Sequence, residues 1–456
     1  MAYVSVNPFT EEPVATYPEH TEPERQALLA RAEQTYRSSW SRLSYAERGK
    51  FLDAAADLMH ERREELARLA TSEMGKRYVE LLWEVDACVA ILRYYAGNAE
   101  RILASRPLQV ADGSARIDAH PLGVVFCIEP WNFPFFQLVR MAAPIVMAGN
   151  TVVMKHAPSV PGCALAVEKI FTDSGAPAGL YTNVFLTDEQ SAATIADPRV
   201  KGVALTGSER AGAAVAAAAG QALKKVTLEL GGSDAFLVLE DADLDLAVDT
   251  AVASRTMNTG QACAASKRFI VHSSLYEEFL SRFSSRLAAL VPGDPMAPET
   301  ELGPLVSQTA LDRVSEQIAV ARRHGAEVVT GGHRIDRQGY FLEPTVLTGV
   351  TPDNPVVRQE LFAPVAMVFS VDSDDEAIAL ANNSPYGLGG TVISRDVDRA
   401  ERVAAAMETG MVFINRMGDS APNLPWGGVK NSGFGRGLSD FGISEYVNWK
   451  LVRIGA

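Results

Sequence analysis

Residues 123–158 read GVVFCIEPWNFPFFQLVRMAAPIVMAGNTVVMKHAP, and the fold turns on how this stretch is parsed. Two short apolar runs, VVFCI and TVVMK, flank a longer one, FFQLVRMAAPIVMAG, that reads as a helix. Strands separated by helices argue for parallel pairing, because a parallel strand needs a crossover and an antiparallel one only a tight turn. The alternation continues in LYTNVF, GVALT and VTLEL, with helical segments between them. The expected fold is therefore α/β, with a doubly wound parallel sheet.

An open parallel sheet binds ligands beyond the carboxyl ends of its strands. VVFCI is followed there by Glu129-Pro130-Trp131-Asn132-Phe133-Pro134, and TVVMK by His156-Ala157-Pro158-Ser159. GVALT leads into Gly207-Ser208-Glu209-Arg210-Ala211-Gly212, and VTLE into Leu230-Gly231-Gly232. Polar and glycine residues gather at one sheet edge, as a dinucleotide site requires. Gly207 and Gly212 flank the start of an alanine-rich helix whose N-terminal N–H groups can face a phosphate. The G-x-G-x-x-G spacing is absent, however, and a tight strand-to-helix turn explains these two glycines more readily.

Upstream, Thr21 with Glu24 and Ser44 with Glu47 form capping boxes. They predict long amphipathic helices over RQALLARAEQTYRSSW and RGKFLDAAADLMHERREELARLA. RPLQVADGSARIDAHPLG reads as two strands around the turn Asp112-Gly113. A second α/β region spans about 231–430, and the chain closes in an apolar, strand-like EYVNWKLVRI.

The 456 residues are 47% apolar and 21% charged, an ordinary globular composition with room for two or three domains. A net charge of −14 argues against nucleic acid and against anionic membranes, both of which need basic patches. No apolar run reaches membrane-spanning length, and the N-terminus lacks the layout of a signal peptide. The four cysteines are scattered without C-x-x-C, and the seven histidines include no pair at ligand spacing. A cytoplasmic protein with reduced thiols and no metal site is expected.

Within MNTGQACAASKRF, residues 257–269, Cys263 sits among Gly260, Gln261, Ala262, Ala264 and Ala265. A packing cysteine keeps larger company; these neighbours leave the sulfur room to be approached. Glu229 ends an otherwise apolar strand, where it is either salt-bridged or a carboxylate of raised pKa. Asn132 is either the N-cap of the following helix or an amide donor to a developing oxyanion.

EPWNFP, TGSERAG, LELGG, NTGQAC, QELFAPV and PWGGVKNSGFGR occur in that order, and the chain resembles the aldehyde dehydrogenase superfamily from VNPFTEEPVA to its end. The spacing from Glu229 to Cys263 is similar to that family's as well. The resemblance implies Cys263 as the nucleophile, Glu229 as the base that activates the hydrolytic water, and Asn132 with the Cys263 N–H as the oxyanion site. A thiol of pKa about 8.5 then needs stabilisation or a base to react. For the cofactor, NAD or NADP, the resemblance implies Trp131, Lys155 and Ser208 near the adenosine half and pyrophosphate, together with the Gly207–Gly212 turn. Glu360 is implied on the nicotinamide ribose and Phe362 near the nicotinamide.

The implied architecture is a Rossmann-like cofactor domain (1–103 and 123–230), a catalytic domain (231–430) and a β-flap (104–122 with 431–456). The flap would join subunits into a homodimer or homotetramer. Many NAD-preferring relatives carry a glutamate where this chain has Pro158, so Lys155 and Ser159 could receive a 2′-phosphate.

KHAP, LELGGSD and GGVKNSGFGR are most similar to the short bacterial succinate-semialdehyde dehydrogenases. Arg140 supports an acidic substrate: two helical turns, about 11 Å, beyond Asn132, its guanidinium suits a short acid's carboxylate. The alternative is an arginine paired with an internal acid. Phe133, Phe136, Met257 and Trp426 could instead line a tunnel for an aromatic or medium-chain aldehyde. Release of the thioester to CoA is disfavoured by Glu229, and a non-catalytic relative by the intact Cys263, Glu229 and Asn132.

Overall fold

The computed structural model describes residues 3–455. Its first large sheet has six strands in the order Gly433–Phe434, Lys225–Glu229, Val200–Thr206, Val124–Glu129, Thr151–His156, Tyr181–Asn183. All neighbours are parallel except the two-residue strand Gly433–Phe434, which runs antiparallel to Leu228–Glu229. The apolar runs of the sequence are these strands, and the alternation there identified the crossovers correctly. Register aligns the polar ends of three of them. Ile128 pairs with Leu205, which sets Glu129 beside Thr206, and Thr206 pairs in turn with Glu229. Three polar residues thus form a row across the carboxyl ends of neighbouring strands.

A second sheet of seven strands carries Ala235–Val238, Arg268–His272, Val365–Val371 and Gly390–Ile393 as parallel neighbours at its centre. A third, antiparallel sheet pairs Val447–Ile454 with Ser114–Pro121, and that strand with Arg106–Leu108. The two strands predicted around Asp112-Gly113 and the C-terminal strand meet there.

The helix Phe136–Met147 is buried along its whole length. This explains its nearly unbroken apolar sequence, and it obliges Arg140, 1% exposed, to find an internal partner. Asn132 does not cap this helix. The cap residue is Phe135, whose side chain makes no capping bond. A carboxylate from another helix does the work: Glu84 Oε1 accepts from the N–H groups of Phe135 (2.8 Å) and Phe136 (3.0 Å). Its other oxygen takes Lys76 Nζ at 2.6 Å, and that ammonium lies 3.4 Å from the centre of the Phe133 ring. A buried charge next to a helix N-terminus is favourable on dipole grounds, and here its lone pairs are also satisfied.

Both predicted capping boxes form. The stretch after Ser44 is two helices rather than one, Tyr45–Glu61 and Arg63–Met74. The break falls at Arg62, whose guanidinium is drawn to Asp173 at 2.6 Å.

Candidate active site

The turn that leads to Cys263 is built from strained backbone. Asn258, Thr259 and Gly260 hold φ of 50°, 56° and 73° in succession. Asparagine tolerates the left-handed region, but a β-branched threonine there is an outlier that costs about 1–3 kcal/mol. Surrounding bonds hold the turn in place. The Asn258 N–H donates to Glu80 Oε1 (2.9 Å), and its side-chain amide donates to the carbonyls of Asn132 (2.8 Å) and Gln261 (3.1 Å). Arg255 Nη2 holds the Gly260 carbonyl at 2.7 Å. Gly260 is required for a second reason: a Cβ there would lie 2.4 Å from the Ala363 carbonyl.

This turn delivers Cys263 to the junction of two cavities. One, about 800 Å3, is lined by Phe133, Phe136, Arg140, Met257 and Trp426, all expected from the sequence, and by Trp83 and residues 415–420, which were not. The other, about 480 Å3, lies at the carboxyl ends of the first sheet and is lined by Trp131, Asn132, Gly207, Ser208, Glu360 and Phe362. Arg210, Arg313 and Tyr386 line it too and were missed. Only Arg210, within the TGSERAG motif, carried any signal in the sequence. Gln137, Thr206, Glu229, Leu230 and Cys263 form walls of both.

Lys155, Ser159 and Gly212 stand apart from these walls. Lys155 is 8% exposed at the end of its strand. Gly212 is buried against Leu230, where a Cβ would come within 2.6 Å of the leucine Cδ1, so its small size serves helix–strand packing. Ser208 caps the helix Glu209–Gln221 through its own side chain.

The second cavity fits a dinucleotide. Arg210 and Arg313 offer cations for phosphate, and the helix N-terminus at Ser208 offers N–H groups. Glu360 accepts the Gly232 N–H at 3.0 Å and stands 3.5 Å from Lys267 Nζ. Gly231 is what lets it approach, since a Cβ there would lie 2.4 Å from Glu360 Oε2. Trp131 and Phe362 pack edge to face, ring centres 5.8 Å apart.

Burial pushes the Cys263 thiol up to about 11; Lys267 and Arg140 oppose this, while Glu360 and Asp234 add to it. The resting sulfur is a thiol, so it reacts only when its proton is taken. Lys267, four residues on, clasps the carbonyls of Ala262 (3.0 Å) and Cys263 (2.5 Å) and so fixes the turn. The Asn132 amide donates to the Gln261 carbonyl at 3.1 Å. One of its two N–H bonds is used there and the other remains.

Arg140 has found its internal acid, and the acid is Glu229. Nη1 lies 3.0 Å from Glu229 Oε2, and Nη2 donates to Thr206 Oγ1 at 2.8 Å. Arg140 Nε and Glu229 Oε1 are buried with no hydrogen-bond partner. Arg140 nonetheless remains part of the wall of the larger cavity.

Glu129, unremarked in the sequence, is a second carboxyl in this cluster. Both its oxygens are buried without a hydrogen-bond partner. Burial pushes its pKa up to about 8, with Arg140 and the Thr206 hydroxyl opposing and Glu229 adding. Burial thus favours its neutral form around neutral pH. In the unfolded chain it ionises near its ordinary value, so between about pH 4.5 and 8 the unfolded state binds fewer protons and stability falls as pH rises. Glu129→Gln, which mimics the neutral acid, should lose less thermal stability between pH 6 and 9 than the parent. Parallel pH dependences in the two proteins would contradict a neutral Glu129.

The aldehyde dehydrogenase family profile matches residues 2–452, and the chain belongs to that family. It is 51% identical over 451 residues to a succinate-semialdehyde dehydrogenase [NADP(+)] of Deinococcus radiodurans, covering 99% of this chain and 94% of that one. It is 44% identical to a probable enzyme of the same description from Synechocystis sp., with both chains fully covered. The crystal structure of succinic semialdehyde dehydrogenase from Streptococcus pyogenes in complex with NADP+ superposes with a TM-score of 0.98 at 44% identity, again over both whole chains.

Proposed function

We propose that the protein oxidises succinate semialdehyde to succinate, with NADP as the preferred cofactor and NAD also accepted. The observation that carries this is the junction: Cys263 and Glu229 stand where a dinucleotide cavity meets an aromatic-walled one that contains the Arg140 guanidinium. Arg140 and Cys263 line the same cavity and influence each other electrostatically, so a substrate carboxylate and its aldehyde can be engaged from one pocket. The relatives named for NADP and for this substrate support the reading.

Cys263 loses its proton to a base and adds to the aldehyde carbon, and the free Asn132 N–H with the Cys263 N–H receives the oxyanion. A bound nicotinamide cofactor supplies the hydride acceptor, leaving an acyl thioester on Cys263. Glu229 then takes a proton from water as the water oxygen bonds to the acyl carbon, and the C–S bond breaks with its electron pair on sulfur. With Pro158 in place of a glutamate, no carboxylate at that position opposes a 2′-phosphate; Lys155 and Ser159, outside the cavity walls, would meet it only where the adenosine end extends beyond them.

The three-stranded sheet, with Leu108, Leu451 and Ile454 exposed, is read as a subunit contact of a homodimer or homotetramer working in the cytoplasm. Among the described residues no helix is long and apolar enough to cross a membrane.

The test compares succinate semialdehyde with butanal, each with NADP and NAD, with and without CoA. Succinate semialdehyde should have the higher kcat/KM, unaltered by CoA. Arg140→Leu should lower that preference by about 30- to 1000-fold, the roughly 2–4 kcal/mol of an unpaired desolvated charge. Taking the ratio cancels the loss common to both aldehydes from unpairing Glu229. An unchanged ratio would instead favour the apolar tunnel of Phe133, Phe136, Met257 and Trp426.

A further inference from the structure

Arg140 and Glu229 are paired in a way that leaves the pair unfinished. A guanidinium and a carboxylate satisfy each other best through two parallel N–H···O bonds. Here one N–H meets one oxygen at 3.0 Å, while Arg140 Nε and Glu229 Oε1, both buried, have no partner. The floor beside the pair is glycine backbone: a Cβ on Gly437 would stand 3.0 Å from Glu229 Oε1 and 3.2 Å from Arg140 Nη1, and one on Gly427 3.4 Å from the same oxygen. No side chain from that direction pins the Glu229 carboxylate, and both residues line the larger cavity.

We propose that this ion pair is a latch that the substrate opens. In the free enzyme Arg140 holds Glu229. The terminal carboxylate of the substrate replaces Glu229 on the guanidinium, and Glu229 is released to take the proton from the hydrolytic water. This rests on the succinate-semialdehyde reading and adds that the carboxylate speeds deacylation as well as binding.

The charges around the pair make the exchange specific. Arg140 is approached by Glu229 and Thr206 from the sheet, by Glu129 one strand further on, by Tyr95 from the helix Tyr78–Ile102, and by Cys263 from the nucleophile turn. Thr206, Tyr95 and the Cys263 thiol carry no charge at neutral pH. Glu129, buried within the sheet, faces Cys127 on its own strand, Tyr181 and Tyr446, and its carbonyl meets His156 Nδ1. None of these groups supplies a second cation to the cluster. Glu229 is the one carboxylate bonded to Arg140, since neither oxygen of Glu129 has a hydrogen-bond partner. If Glu229 turned away alone, the guanidinium would be left as an uncompensated buried charge. An incoming carboxylate removes that penalty; an aldehyde without one leaves Glu229 held on Arg140 and away from the water.

The atoms balance as in ordinary deacylation: water gives one proton to Glu229 and its oxygen to the acyl carbon, sulfur leaves with the C–S electrons and takes back one proton to restore the thiol, and the acid releases the other to solvent.

Rapid-mixing measurements on the NADP-loaded enzyme separate thioester formation, read as the burst of NADPH, from hydrolysis, read as the steady phase. The succinyl thioester should hydrolyse at least about 10-fold faster than the butyryl thioester, and Arg140→Met should erase the difference. If the difference survives in Arg140→Met, the substrate's own carboxylate assists hydrolysis and the latch is wrong. Should that variant not fold, the parent enzyme still decides. With acetaldehyde as substrate, added acetate should raise the steady rate without changing the burst rate, and acetamide should not. Inhibition or no response to acetate, together with equal hydrolysis of the two thioesters, would overturn the latch. A retained kcat/KM preference for succinate semialdehyde would then leave the proposed function standing, whereas loss of that preference would remove both.

Discussion

Replacing Cys263 with alanine should abolish aldehyde-dependent reduction of NADP, with a loss of at least about 10⁴-fold in kcat, because no other group in the junction can form the thioester. The thermal midpoint and the affinity for NADP should stay close to the parent's. The sulfur fills little space that an alanine methyl leaves open, the neighbouring residues being Ala262 and Ala264, and the turn is held by bonds to carbonyls rather than to the sulfur. Purified Cys263→Ala turning over at more than trace rates would remove this residue from the chemistry. The parent should also show a steep rise of acylation rate with pH, since the thiol, pushed up to about 11, must be deprotonated for attack.

Glu229→Gln should divide the reaction in two. The amide matches the acid in shape and can still accept a hydrogen bond from Arg140 Nη1 through its oxygen, but it cannot take a proton from water. Acylation should appear as a burst approaching one NADPH per active site, provided another base can take the Cys263 proton. Hydrolysis should fall by about 10²–10⁴-fold. A wild-type burst with a wild-type steady rate would assign water activation elsewhere. Loss of the burst itself would make Glu229 the base for Cys263 as well, and the two outcomes are read from one trace.

The strands were legible because buried parallel strands must be runs of apolar residues, and those runs mark their own ends. Two capping boxes were legible because their residues are three apart in sequence. What the sequence concealed was anything joining distant residues. The Arg140–Glu229 bond spans 89 positions, and the helix carrying Arg140 is capped by a glutamate 51 residues upstream of Phe135. Glu84 sits among Leu81, Val85 and Cys88 on the buried face of its helix, a carboxylate in an apolar stripe that asks for a partner without saying which distant N–H groups supply it. Thr259 adopts a conformation its side chain disfavours, held there by tertiary bonds, and no propensity argument recovers it. Glu129 sat in plain view before Pro130, but a carboxyl at a strand end is usually solvated; only the register that sets it beside Thr206 makes it part of a charge cluster. Trp83 and the 415–420 loop gave no local signal of their place in the cavity wall.

The two cavities share a narrow set of residues and otherwise have separate walls and separate rims, with Trp83 and Val79 exposed on one side and Ser208 and Arg210 on the other. The two cavities thus meet at the Cys263 sulfur, each with its own exposed rim. On the proposed function, aldehyde and acid would use one doorway and the nucleotide the other, so that the finished acid would not have to wait for the spent nucleotide to depart.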